Sequence, residues 1–79
     1  MNSRVLTHEI TSLGIRLLDD AHTAWLVAQV ECADALWAWF EAPTNRRANA
    51  HLVYRAALDR EDAAARDLER LTALADVRP

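Results

Sequence analysis

The sequence predicts an all-α fold: an antiparallel hairpin of two long helices, two copies of which join as a homodimer into a four-helix bundle. Three observations carry that expectation. With one Gly and two Pro in 79 residues the chain has few places to turn, and its 52% hydrophobic content is rich in Ala and Leu, both strong helix formers. Apolar residues recur in steps of three and four on both sides of a single break at Ala42-Pro43-Thr44-Asn45. The stretch Ala21–Ala42, which holds all three Trp, the only Phe and the only Cys, is apolar around more of its circumference than one partner helix covers.

The first helix is expected over residues 4–41, after a frayed start at Met1–Ser3 in which Ser3 serves as N-cap. Leu6, Ile10, Leu13, Leu17, Ala21 and Ala24 mark one apolar face, with Glu9, Ser12, Arg16, Asp19 and Asp20 away from it. Gly14 is the weak point, since an interior Gly costs up to about 1 kcal/mol relative to Ala. The stripe keeps its phase across Gly14, so one continuous helix is expected, a bend or a late start there being the alternative.

Further along, Leu18, Ala21, Trp25, Ala28, Cys32, Ala35 and Trp39 form the seam of a packed helix pair. A second apolar line, Leu26, Val30, Ala33, Trp37 and Phe40, runs on a different face, and Glu31, Asp34 and Glu41 are left on a narrow polar strip. A surface helix normally has one apolar and one polar face, so this one needs two partners. One comes from this chain, and the other from a second copy or from another protein. Trp25, Leu26, Val30, Ala33, Trp37, Trp39 and Phe40 are therefore the candidate interface residues.

The break follows from Pro43, which disfavours helix at Ala42; Thr44 or Asn45 then offers an N-cap for the next helix. A turn over 42–45 is short enough to fold the second helix back antiparallel. That helix is expected over residues 45–75, with Val53, Tyr54, Ala57, Leu58, Ala64, Ala65, Leu68, Leu71, Thr72 and Ala75 on its apolar arc. Its outer arc carries Arg55, Asp59, Asp62, Arg66, Glu69 and Arg70, with Arg55–Asp59 and Asp62–Arg66 as four-apart pairs worth a few tenths of a kcal/mol at most. Residues 76–79 read as a tail. Closing the hairpin at Pro43–Thr44 sets Trp39 opposite the region of Asn49, Cys32 opposite Ala56 and Ala57, Trp25 opposite Ala63–Ala65, and Leu18 opposite Arg70 and Leu71.

Residues 1–79 are thus expected to form one helical-hairpin domain. A chain this short is often marginal alone, and a single Cys excludes an internal disulfide, which leaves oligomerisation as the common remedy. The net charge of −3 gives no general attraction to nucleic acid or to anionic membrane, so neither is an expected partner. All nine basic residues are Arg, the mark of codon bias in a GC-rich bacterial genome. The start lacks a basic segment followed by an apolar run, and Gln29, Glu31 and Asp34 interrupt the best candidate membrane span. With a free Cys besides, a cytoplasmic protein is expected.

Few residues invite chemistry. Glu61 falls within the apolar arc of the second helix, where a carboxylate needs a partner; the Gln29 amide and the Trp25 indole N–H are in reach. It reads either as a polar contact fixing register, or as part of a ligand-binding site with Gln29 and His22 in the bundle core. Asp19-x-x-His22 has the spacing found inside di-iron bundles, but the further carboxylates such a site needs are missing; His51 and Glu61 lie about 15 Å apart along the helix. No metal and no cofactor is expected. His8, Ile15 and His22 share a face at heptad spacing and read as an interface edge. Arg46 and Arg47 open the second helix: they are neutralised by Glu41 across the turn, or they form a candidate anion site. Cys32 lies on the seam as a buried thiol. No nucleophile–base–acid set, phosphate loop or paired-Cys motif is present. The expectation is a non-enzymatic interaction or regulatory module that self-associates, the alternative being a small-molecule or metal carrier built around Glu61.

Overall fold

A computed structural model describes the backbone of residues 3–76 and the side chains of residues 9–76. Helix α1 spans Ser3–Glu41, a 3-10 turn follows at Thr44–Arg46, and helix α2 spans Arg47–Ala75; the helices pack against each other as an antiparallel hairpin. α1 runs unbroken through Gly14, where a Cβ would meet nothing within 4 Å. The expected Ser3 cap and the side chains of Leu6 and His8 lie outside the described residues, as do residues 77–79 of the tail.

The turn departs from expectation in one respect. Neither Thr44 nor Asn45 caps α2; both are drawn into the 3-10 turn, so the α-helix starts at Arg47 rather than at 45. Its N-cap position is Arg46, with no side-chain cap, and the tight turn is closed by the Arg46 N–H donating to the Pro43 carbonyl at 2.9 Å. A 3-10 turn satisfies backbone groups that a cap would otherwise serve.

The seam is built on small residues. Ala21, Ala28 and Ala35 of α1, each seven residues from the next, are buried, as is Ala57 of α2 at 1% exposure. The larger residues of the seam straddle this line half-buried: Leu18, Trp25, Cys32 and Trp39 from α1, and Tyr54, Glu61, Leu68 and Leu71 from α2. No large side chain is fully buried among the described residues. Two helices side by side give each side chain only one neighbouring element.

Register differs in detail from the sequence reading. In the region of Asn49, the Trp39 ring reaches His51 and Tyr54, with ring centroids 4.6 and 5.6 Å away. Side chains on a helix lean toward its N-terminus, which carries the Trp39 ring away from the turn. Trp25 meets Glu61, one turn nearer the turn than Ala63–Ala65. The Glu31 carboxylate and the Arg60 guanidinium stand 3.6 Å apart across the seam, both more than half exposed, which limits the pair to under about 1 kcal/mol.

On the outer face of α2, Asp62 pairs with Arg66 as expected, but Arg55–Asp59 does not close; Asp67–Arg70 forms instead. Acid before base is the better order on a helix, and Arg55–Asp59 has the reverse. At the end of α2 the Thr72 hydroxyl donates to the Leu68 carbonyl at 2.8 Å.

α1, at 39 residues, outruns α2, at 29. At 1.5 Å per residue the difference is about 15 Å. The apolar stripe of the first turns therefore extends beyond the end of α2, and Ile10, Leu13 and Leu17 are exposed. Ile10 and Leu17 line an apolar groove with Leu18, Leu71 and Leu74 at the open end of the hairpin. No helix among the described residues is long and apolar enough to cross a membrane.

Candidate functional site

The largest departure from an ordinary helix surface is the second apolar line of α1. Leu26, Val30, Ala33, Trp37 and Phe40 are all exposed, Trp37 at 65% and Phe40 at 68%. At 3.6 residues per turn this line lies about 140° around α1 from Glu31. The Glu31–Arg60 pair therefore ties one broad side of the hairpin, while the apolar line occupies the other. Ile15, Asp19 and His22 extend the line toward the N-terminus and Gln29 borders it beside Leu26, and all four are exposed.

Its other candidate members lie elsewhere. Trp25 and Trp39 project into the seam between the helices and are half-buried. Phe40 connects the two settings: its ring sits 6.1 Å from that of Trp37 on the open face and 6.4 Å from that of Trp39 in the seam. A partner on the open face would thus meet a surface already stiffened from behind by Trp39, His51 and Tyr54. Edge and stacked aromatic contacts at such distances add stabilisation beyond area burial.

Glu61 is half-buried and accepts a hydrogen bond from the Trp25 indole N–H at 3.0 Å. Of the two partners the sequence offers, the structure uses the indole; Gln29 is exposed and points away from the seam. His22 is exposed as well, its ring centroid 6.1 Å from that of Trp25. Glu61, Trp25 and His22 form a chain across the hairpin, whereas Gln29 does not join it. Every described polar side-chain atom that is buried has a hydrogen-bond partner.

No group of three or more His, Cys, Asp or Glu able to hold a metal ion is present among the described residues. Asp19 and His22 share one face of α1, while His51 is on α2 beside Trp39, near the turn. Arg46 and Arg47 are both exposed, and no ion pair joins either to Glu41 among the described residues. Arg47 borders a recess with Trp39 and Phe40; Arg46 lines another with Glu41 and Val53. Cys32 is a free thiol, half-buried in the seam.

The uncovered stripe at Ile10, Leu13 and Leu17 is a feature that periodicity alone misses. It follows from the lengths of the two helices, 39 residues for α1 and 29 for α2, among the described residues.

No protein-family model matches the chain, and neither a curated protein nor a solved structure matches it.

Proposed function

We propose that this chain is a non-enzymatic protein–protein interaction module that self-associates through the second apolar face of α1, two hairpins forming a four-helix bundle. The observation that carries the reading is the exposed row of Leu26, Val30, Trp37 and Phe40 on one side of a hairpin whose seam is already closed. Contiguous apolar surface of this kind marks an interaction site on a soluble protein. Antiparallel two-helix units commonly complete a core by pairing, and twofold homodimers are the most frequent way to do so. A free Cys32 fits a reducing compartment such as the cytoplasm.

The test is Trp37→Asp, read by light-scattering mass and by circular dichroism. Trp37 lies outside the seam, so the variant is expected to keep its helicity while its assembly falls to monomer. A variant with wild-type mass and wild-type helicity would overturn the reading.

A further inference from the structure

We infer that the occupant of this face is a second copy of the chain lying antiparallel, with Trp37 of each copy set against Asp19 of the other. This rests on the self-association reading and adds orientation, register and the polar contacts that select them.

Charge decides orientation. Arg4 and Arg16 are the only cations on α1, both in its N-terminal half together with Glu9, Asp19 and Asp20, whereas Glu31, Asp34 and Glu41 in its C-terminal half have no cation on their part of the helix. A parallel twofold pair would set each residue of the line against itself, placing Asp19 on Asp19 inside the interface. Like charges brought together out of water are strongly unfavourable. Turning one copy end for end separates that pair and brings Arg16 beside Glu41 of the other copy. Neither Arg16 nor Glu41 has an ion-pair partner among the described residues. Glu41 is also the last residue of α1, where the helix dipole disfavours an anion and no basic residue of the last turn offsets it. A guanidinium from the second copy supplies what that position lacks.

Coverage decides register. The line runs from Ile15 to Phe40, about 39 Å at 1.5 Å per residue. Setting Ile15 against Phe40 of the other copy overlaps the whole line. His22 then meets Ala33 and Leu26 meets Gln29 at the same level, and Asp19 lies within one residue of the level of Trp37, in the same layer of the line. A slip of one heptad in one direction carries Ile15 past the end of α1 of the other copy. A slip in the other direction moves Phe40 and Trp37 off the line, opposite residues 8 and 11.

The Trp37–Asp19 contact repeats a pairing the hairpin already uses. Within the seam, the Trp25 indole N–H donates to the Glu61 carboxylate. On the open face the Trp37 N–H and the Asp19 carboxylate each have no partner among the described residues. Trp37 and Phe40, at their observed exposure, leave on the order of 300 Å² uncovered per copy, taking ~225 Å² for a whole aromatic side chain. Two copies bring about 600 Å² from these two residues alone, roughly half the ~1,200 Å² at the lower bound for stable interfaces. Ile15, Leu26 and Val30 add to it.

The test is disulfide trapping in a Cys32→Ser background. Ile15→Cys and Phe40→Cys variants are prepared singly, their reduced mass in solution is measured, and they are then oxidised alone and mixed. The expected result is a cross-linked dimer joining the two variants in the mixture, with several-fold less from either alone. Cross-linking by each variant alone would overturn the antiparallel arrangement while leaving self-association intact. Dimers by mass without any cross-link would overturn this register. Wild-type protein that is monomeric would sink the self-association reading itself, and this inference with it. Should a cysteine variant dissociate where the wild type does not, charge reversal decides. Arg16→Glu is expected to weaken the dimer about tenfold and Arg16→Glu with Glu41→Arg to restore it; failure of the second change to restore it overturns the proposal.

Discussion

Glu61 illustrates how one side chain settles a local question. It sits in an otherwise apolar arc, and its carboxylate is satisfied by the Trp25 indole across the seam. Removing one side of such a pair leaves the other without its partner, which costs more than the bond contributes net. Glu61→Ala is therefore expected to lower stability by about 1–2 kcal/mol, while Glu61→Gln, which keeps an acceptor, stays within about 1 kcal/mol of wild type. A double-mutant cycle with Trp25→Phe in urea isolates the pair; a coupling near zero would show that the bond contributes nothing. Gly14 gives a second residue-scale expectation. It lies within a continuous helix with open space where a Cβ would stand, so Gly14→Ala should raise stability by up to about 1 kcal/mol. For a chain this size that is a shift of about 4–8 °C in the melting temperature at fixed protein concentration. A lower melting temperature would mean that the space beside Gly14 is filled by another chain.

At the scale of the element, the hairpin depends on α1 and α2 meeting along alanines. Ala57 is the most deeply buried residue described, and the Ala21, Ala28 and Ala35 row faces α2. Ala57→Leu is expected to force the helices apart and to cost about 1–3 kcal/mol, measured by chemical unfolding. The same change at exposed Ala63 should be nearly silent.

Much of this was legible from periodicity. The two-helix plan follows from the single break at Pro43 and the unbroken phase on either side of it, and the Trp25–Glu61 contact from the position of a carboxylate within an apolar arc. Periodicity reports which face a residue occupies, not how far along the axis its side chain reaches: register sets Trp39 in the region of Asn49, and its ring meets His51 and Tyr54. It also did not foresee that Thr44 and Asn45 would enter a 3-10 turn instead of capping α2, because both outcomes satisfy the same backbone groups. Whether α1 bends at Gly14 rests on an energy of about 1 kcal/mol, too small for sequence alone to decide.

At the scale of the whole molecule, the hairpin is a plank of 66 × 18 × 14 Å with a radius of gyration of 18.6 Å. A compact domain of this length has a radius near 12 Å. The extended shape means that most large apolar side chains have only one helix to pack on, which is why Trp37, Phe40, Leu26 and Val30 remain open on one broad side. Stacking a second plank on that side gives these residues a second neighbour and turns a two-helix seam into a core. Assembly would then add to the stability of the hairpin, with a melting temperature that rises with protein concentration.

Native mass spectrometry of the protein purified from its own host tests this most directly, because it reads assembly and bound mass together. The account predicts twice the chain mass with nothing added. A bare monomer would contradict it and leave the open face of α1 to a different protein, while a reproducible extra mass would make the chain a carrier, with Glu61 and His22 the first residues to change.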